Sequence, residues 1–144
     1  MLQQFFSHAN WLAIGVAALS YYALGALWFS VLFGKPWAAA HGIQMPINDA
    51  DKAKMRKQMP KLMVVTLLMN IVVALGVGLV IYATSTHDCV HGIKWGLLLS
   101  VFAAVPMCMG HMYTMKKMSL WFIDGAYHTI AITLMSIIIS VWHH

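Results

Sequence analysis

Long apolar segments separated by shorter polar ones dominate the pattern of this sequence. Each apolar segment is close to the ~20 residues that an α-helix needs to cross ~30 Å of hydrocarbon at ~1.5 Å per residue. Because a lone strand could not satisfy its backbone hydrogen bonds in lipid, all of these segments are predicted to be helices. The four segments are residues 10–33, 62–84, 93–114 and 119–142.

A polar segment, residues 34–61, lies between the first and second apolar segments. Asn48 can cap the amino end of a short helix, and Met55 and Met59 are spaced to share one of its faces. We therefore predict a short amphipathic helix in this loop, lying on the membrane surface with its basic side chains among the lipid headgroups. The basic residues of the segment are Lys35, Lys52, Lys54, Arg56, Lys57 and Lys61.

Composition agrees with lipid as the main solvent of the chain. Of the 144 residues, 61% are hydrophobic and only 9% are charged, against about 25% charged in an ordinary soluble domain. The net charge of +5 does not indicate a nucleic-acid partner, because the lysines lie at the ends of apolar segments and not along one polar face. The predicted fold is a single all-α transmembrane domain, a bundle of four spanning helices with its short amphipathic helix in the first loop.

The distribution of basic residues also predicts an orientation. Lysine and arginine concentrate in residues 34–61 and 115–118, two connections that lie on the same side of a four-helix membrane protein. The positive-inside bias places that side in the cytoplasm. We therefore expect an integral protein of a bacterial cytoplasmic membrane, with both termini outside the cytoplasm.

Several polar side chains fall within the apolar segments, in the half nearest the lysine-rich connections. Asp124 and His128 are spaced i, i+4 on one helical face, so His128 is the nearest candidate partner for the carboxylate, and Lys35 or His111 could also reach it. A carboxylate in lipid is costly and should face inward. We predict a polar cluster of Ser30, Lys35, Asn70, His111, Asp124 and His128; the alternative is that Asp124 only braces helix ends. Tyr21 and Tyr22 are assigned to the opposite half.

Stripes of small residues run along the third and fourth apolar segments. Small side chains let helix backbones approach closely, which is how helices associate in lipid, so we interpret both stripes as packing surfaces. The longer stripe exceeds what one neighbouring helix needs, which predicts a homo-oligomer. The stripes are Gly96, Ser100, Ala103 and Met107 on one helix, and Gly125, Thr129, Thr133, Ser136 and Ser140 on the other.

The end of the first apolar segment carries the most specific motif of the chain. It reads Gly-Ala-Leu-Trp28-Phe-Ser30, then Phe33-Gly34-Lys35, and then Trp37. This motif, with the Asn-Trp start at residues 10–11, the basic loop and the "FIDGAYHTIAI" entry to the fourth segment, resembles the membrane family catalogued as domain of unknown function 1761. The resemblance covers nearly the whole chain. It implies a small four-helix membrane protein and no particular reaction.

A sulfur-rich stretch, "PMCMGHMYTMKK" at residues 106–117, raises the question of a metal site. Met107, His111 and Met115 would stack on a helix with Cys108 beside them, and such soft ligands suit Cu(I). Methionine is also a flexible apolar filler, and this chain has twelve. We therefore expect no metal and no cofactor. His143 and His144 are assigned no role.

Three classes of function stay open at this stage. The first is binding or transport of a small polar or ionic ligand at the polar cluster, entered from the cytoplasmic side. The second is a structural or accessory membrane subunit with no ligand of its own. An enzyme is less favoured, because Asp124 and His128 could act as acid and base but no nucleophile motif or cofactor loop accompanies them. A Cu(I)-binding protein is also less favoured.

Overall fold

The computed structural model of the protein describes residues 2–43 and 47–142, and every regular element in these ranges is helical. Residues 44–46 of the predicted basic loop, and His143 and His144, lie outside the described residues. The elements are α1 (Leu2–His8), α2 (Trp11–Leu27), a π-helical segment (Trp28–Leu32), α3 (Gly34–Ala40), α4 (Asp49–Ala83), α5 (Cys89–Tyr113) and α6 (Met118–Val141).

Four helical stretches in the described part of the chain are long and apolar enough to cross a membrane: Trp11–Leu32, α4, α5 and α6. The prediction of an all-helical chain with four helices of membrane-spanning length is therefore confirmed. The bounds differ in detail from the apolar segments. The first span ends in the π-helical segment, and α1 and α3 are additional short helices that the hydrophobic pattern did not predict.

The largest departure from expectation is α4. A separate short amphipathic helix was predicted in the basic loop, but this segment is the first part of one continuous helix, Asp49–Ala83. Asn48 caps it as expected, with its side chain accepting from the Asp51 amide at 2.8 Å. Pro60 lies inside α4 and removes one backbone donor. The lysines, methionines and leucines around it favour helix, so the helix continues through the proline.

The first part of α4 is not packed on the bundle. Residues 49–66 are all exposed, and the buried positions of the helix begin at Asn70. A helix of 35 residues is about 52 Å long at ~1.5 Å per residue, whereas a bilayer core is ~30 Å thick. The basic amino-terminal part of α4 therefore extends beyond the length that a span needs.

Side-chain caps fix two of the other helix ends. Asp88 accepts from the His91 amide at 2.9 Å and so caps α5. Asn10 caps α2, and its Nδ2 atom also donates to the Trp142 carbonyl at 3.0 Å. This second bond ties the start of the first span to the end of the last, as expected for neighbouring antiparallel helices.

The core of the bundle lies between α2, α4 and α6, with α6 at the centre. It packs against α2, α4 and α5, and α3 touches it near its amino end. On α1, Phe5 packs its ring against Tyr82 of α4 at a centroid distance of 5.7 Å. The buried side chains of the core are Phe5, Ile14, Ala17, Ala18, Tyr21, Trp28, Ala74, Val77, Ile81, Ile123, Tyr127, Ala131, Ile132, Met135 and Ile139.

Helix α5 packs along α6 through small residues. Its buried positions are Gly92, Gly96 and Ser100. A Cβ atom built on Gly96 would lie 2.5 Å from the Thr133 Cα, so the two backbones approach as closely as glycine allows. On α6, Ser136 and Ser140 are fully buried. The interpretation of the stripes as packing surfaces is therefore confirmed for Gly96, Thr133, Ser136 and Ser140, whereas a Cβ on Gly125 would meet nothing within 4 Å.

This packing changes the basis of the predicted homo-oligomer. The length of the α6 stripe predicted that part of it would face a neighbouring helix and part a second copy of the chain. In the structure, its buried serines and Thr133 lie against α5 of the same chain. These three positions are therefore not available to a second copy. The homo-oligomer stays a prediction.

Candidate functional site

A histidine–carboxylate pair joins the end of α5 to the beginning of α6. The Nε2 atom of His111 lies 2.9 Å from Oδ2 of Asp124, and both side chains are largely buried. The second oxygen, Oδ1 of Asp124, is buried and has no hydrogen-bond partner among the described residues. Asp124 is therefore paired from α5, while His128, its expected nearest partner, makes its hydrogen bond elsewhere.

The imidazole of His128 bonds to a tyrosine of the first span. Its Nδ1 atom lies 2.5 Å from the Tyr21 hydroxyl, and the two rings meet edge to face with centroids 6.0 Å apart. Tyr21 is near the middle of Trp11–Leu32, and His128 is near the middle of α6. The assignment of Tyr21 to the opposite half of the bundle from His128 was therefore wrong. The depth of each residue was estimated by counting from the approximate ends of its apolar segment. Tyr21 and His128 both lie near the centre of their helices, so this count could not assign them to different halves.

Tyr127 fills the space between α2 and α6 beside this pair. Its hydroxyl donates to the Tyr21 carbonyl at 3.3 Å. Its ring lies 4.9 Å from that of Phe29 and 5.4 Å from that of Tyr21, centroid to centroid. These contacts hold Phe29, Tyr21 and Tyr127 in one aromatic group on the side of α6 that faces α2.

The π-helical segment gives the tryptophan–glycine motif of residues 28–37 a structural role. The Phe33 amide donates to the Trp28 carbonyl, five residues earlier, at 2.8 Å. A Cβ on Gly34 would lie 2.8 Å from the Phe29 carbonyl oxygen, so glycine permits the chain to turn there into α3. Trp28 donates from Nε1 to the Ile123 carbonyl at 3.1 Å. The motif therefore anchors this segment on α6, and π-helical turns often carry functional residues.

A cavity of about 650 Å³ opens between α2, α4 and α6, on the part of the bundle nearest the basic start of α4. Its walls are mainly aromatic and apolar, and its polar atoms come from a few histidine, amide and hydroxyl side chains. The α4 residues of the wall, apart from Asn70, are exposed, so the cavity is open to the outside of the bundle. The lining residues are Tyr21, Tyr22, Gly25, Ala26, Phe29, Ser30, Trp37, Met59, Leu62, Met63, Thr66, Asn70, Tyr127 and His128.

The predicted polar cluster is divided by α6. Ser30, Asn70 and His128 line the cavity. His111 and Asp124 form their pair at the α5–α6 contact and do not line it. Lys35 is exposed and makes no hydrogen bond or ion pair with any described residue.

The cavity also contains residues that sequence reasoning did not assign to a site. Tyr127 and Phe29 had no polar spacing to mark them, and Met59 and Met63 were indistinguishable from the other methionines. Trp37 was identified by its motif alone. It closes one wall of the cavity, with its ring 5.7 Å from Phe29 and 4.0 Å from the His41 ring. The four-residue spacing of Phe29, Phe33 and Trp37 was the available signal.

The sulfur-rich stretch does not keep the helical stacking that a metal site would need. Helix α5 ends at Tyr113, and Met115 follows in a turn with a φ of 55° and 92% exposure. The Nε2 atom of His111 is engaged by Asp124. Within the part of the chain that the structure describes, no three histidine, cysteine or acidic side chains come together to hold a metal ion.

These features describe a small all-helical protein with four helices of membrane-spanning length and a cavity beside the central one. Comparison with known families agrees with this class. Residues 12–140 match the family described as "Protein of unknown function (DUF1761)", and the chain belongs to that family. The resemblance deduced from the tryptophan–glycine motif is thereby confirmed. No curated protein and no solved structure matches the chain.

Proposed function

We propose that this protein resides in a membrane through its four long helices, with the basic start of α4 on the cytoplasmic side. Large apolar side chains on the outer faces support the proposal: Val31, Phe102 and Phe122 are each more than 70% exposed. Apolar surface of this extent is unusual on a soluble monomer and is ordinary for a surface that lipid covers.

Within that setting we propose that the protein binds a small ligand in the cavity between α2, α4 and α6. The observation that carries this proposal is the cavity itself, about 650 Å³ in volume and walled by five aromatic side chains. Ligand sites are typically concave, about 300–1,000 Å³ in volume, and mostly apolar, with a few placed polar groups. The cavity fits this description, and His128, Asn70 and Ser30 supply the polar groups.

The lining changes the expected chemistry of the ligand. A small polar or ionic ligand was expected, because a cluster including Lys35 and Asp124 would offer charges. Neither residue lines the cavity, and the lining contains no lysine, arginine, aspartate or glutamate. The proposed ligand is therefore largely apolar, with a polar group that can hydrogen-bond, and it enters through the opening beside α4.

Replacing each of two alanines of α2 by phenylalanine tests the binding proposal. Ala26 lines the cavity, whereas Ala23 is exposed on the same helix and does not. Ala26→Phe fills the cavity, and Ala23→Phe adds the same ring to the outer surface. Native mass spectrometry of the protein purified from its own membranes should detect a bound small molecule in wild type and Ala23→Phe, and not in Ala26→Phe.

The opposite result would favour an accessory role. Two results together would contradict the binding proposal. The first is that the wild-type protein carries no small molecule. The second is that no compound in a panel of neutral, anionic and cationic aromatic amphiphiles raises the melting temperature of wild type more than that of Ala26→Phe. Thermal melting of both variants, compared with wild type, shows whether either substitution disturbs the fold.

A further inference from the structure

We propose that the ligand of this cavity is a neutral aromatic carbonyl compound of the quinone class. The inference rests on the proposed binding function and adds the chemical class of the ligand. It concerns binding alone and includes no electron transfer. Three properties of the lining carry it: the lack of charged side chains, the aromatic walls, and N–H groups of His128 and Asn70 that no described residue accepts from.

The lack of charge in the lining selects against ionic ligands. Its fourteen residues include no carboxylate and no lysine or arginine. An ion taken from water into such a wall would lose hydration without gaining a counter-charge, which is strongly unfavourable at the depth of the hydrocarbon. A neutral ligand does not meet this penalty.

The aromatic walls favour a planar ring. Phe29 is the centre of the group, with Tyr127 at 4.9 Å and Trp37 at 5.7 Å between ring centroids, both in edge-to-face arrangements. Tyr21 and Tyr22 complete the lining on α2. Rings at these separations present faces and edges on which another ring can stack or make edge contacts.

His128 supplies the first donor. The Tyr21 hydroxyl lies 2.5 Å from Nδ1 of His128, and the hydroxyl proton has no acceptor there other than this nitrogen among the described residues. The hydrogen-bond network therefore assigns the donor role to the tyrosine and the acceptor role to Nδ1, which leaves the proton of the neutral imidazole on Nε2. No described residue accepts from Nε2, so this N–H is available to a ligand.

Asn70 supplies the second donor. It lines the cavity from α4, it is 6% exposed, and its Nδ2 atom is buried with no hydrogen-bond partner among the described residues. A buried amide N–H group without an acceptor is unfavourable, and such groups are rare in native proteins. Protein atoms cover Nδ2 in this structure, so a rotation of the amide would present the N–H to the acceptor of a ligand in the cavity.

A quinone matches these requirements together. It is neutral, planar and soluble in lipid, and its two carbonyl oxygens accept hydrogen bonds without donating any. An aromatic cation is the nearest competitor, because ring faces attract positive charge. The two N–H groups would repel a cation, and no carboxylate lines the cavity to neutralise it.

The test compares two probes that differ in their carbonyl groups. Duroquinone is fully methylated on its ring, so it does not add to Cys89 or Cys108, and durene is the same tetramethylated ring without the oxygens. Binding of each to the full chain in lipid nanodiscs is measured by calorimetry against empty nanodiscs. We expect duroquinone to bind at least about tenfold more tightly than durene, as for one or more hydrogen bonds.

Variants assign the binding to the two donors. Asn70→Leu and His128→Phe should each weaken duroquinone binding about tenfold and leave durene binding unchanged. Gln3→Leu and His91→Phe remove the same groups outside the cavity and should change neither. Equal binding of both probes to wild type, or tighter binding of benzyltrimethylammonium than of duroquinone, overturns the inference. That comparison uses wild type only, so it stands even if a variant fails to fold.

The quinone inference can fail while the proposed function stands. If native mass spectrometry detects a molecule of another class that Ala26→Phe excludes, the cavity is a ligand site and the quinone assignment is wrong. If Ala26→Phe changes neither the bound molecule nor duroquinone binding, the cavity is not the site, and both proposals fail.

Discussion

The Nε2 atom of His111 lies 2.9 Å from Oδ2 of Asp124, and this bond joins the carboxyl end of α5 to the amino end of α6. The pair is separated by only thirteen residues along the chain, across the short connection between the two helices. Asp124 is 8% exposed, so its partner decides how well a carboxylate is tolerated there.

Loss of the carboxylate should destabilise the bundle through His111. We expect Asp124→Asn to lower the free energy of unfolding by about 3 kcal/mol, the lower part of the range for breaking a buried pair. Unfolding by SDS in mixed micelles, followed by circular dichroism, measures the change. Asp49→Asn, an exposed acid at the start of α4, is the control and should have almost no effect.

A double-mutant cycle identifies the partner. Asp124→Asn and His111→Gln should be strongly non-additive, because either substitution alone removes the same bond. Asp124→Asn and His128→Ala should show a smaller coupling, because His128 bonds to Tyr21 and interacts with Asp124 only by electrostatic attraction along α6. The reverse pattern would show that the carboxylate pairs along α6, as its i, i+4 spacing had indicated.

Close contact of α5 and α6 should depend on Gly96. Gly96→Ala places a Cβ against the Thr133 Cα, and overpacking of this kind should cost about 1–3 kcal/mol of unfolding free energy. Gly110→Ala is the matched control on α5, since nothing lies within 4 Å of its Cβ position. It should be neutral or stabilising by up to about 1 kcal/mol. Equal effects of the two substitutions would contradict the described α5–α6 packing.

Native Cys89 offers a direct test of orientation. It is exposed at the start of α5, on the end of the bundle opposite to the basic part of α4. In a Cys108→Ser background, a membrane-impermeant maleimide added outside intact cells should label Cys89. In a background without native cysteines, Ala53→Cys should be labelled only after the cells are opened. Labelling of position 53 from outside would reverse the proposed orientation.

Acid should weaken the cap of α5. Hydrogen bonds from the amide and then the side chain of His91 lower the pKa of Asp88 below its usual 3.8. Since the folded-state pKa is depressed, the stabilisation is present above the unfolded-state pKa near 3.8 and is lost as the pH falls through the lower, folded-state pKa. Asp88→Asn keeps a capping oxygen without the charge. Its melting temperature should fall less than that of wild type between pH 5 and 2 (roughly the range in which such a carboxylate titrates), and equal falls would exclude a contribution from Asp88.

Features that depend on neighbours in sequence were predictable. The apolar length of each segment sets the number of spanning helices, because a span needs about 20 apolar residues whatever its neighbours are. Asn48 was recognised as a helix cap for a similar reason, since a cap acts on an amide only three residues away. The extent of α4 was not predicted, because Pro60 and the surrounding helix-favouring residues indicate opposite outcomes locally.

The arrangement of the candidate site was decided by tertiary structure. The i, i+4 spacing predicts that His128 and Asp124 share one face of α6. In the bundle, the rotation of α6 about its own axis directs Asp124 to α5 and His128 to α2. The Tyr21–His128 contact joins residues 107 apart in the chain, and only the relative register of α2 and α6 determines it. Helical periodicity fixes which side chains share a face. It does not fix which neighbouring helix that face meets, because this choice depends on packing between surfaces that are all apolar.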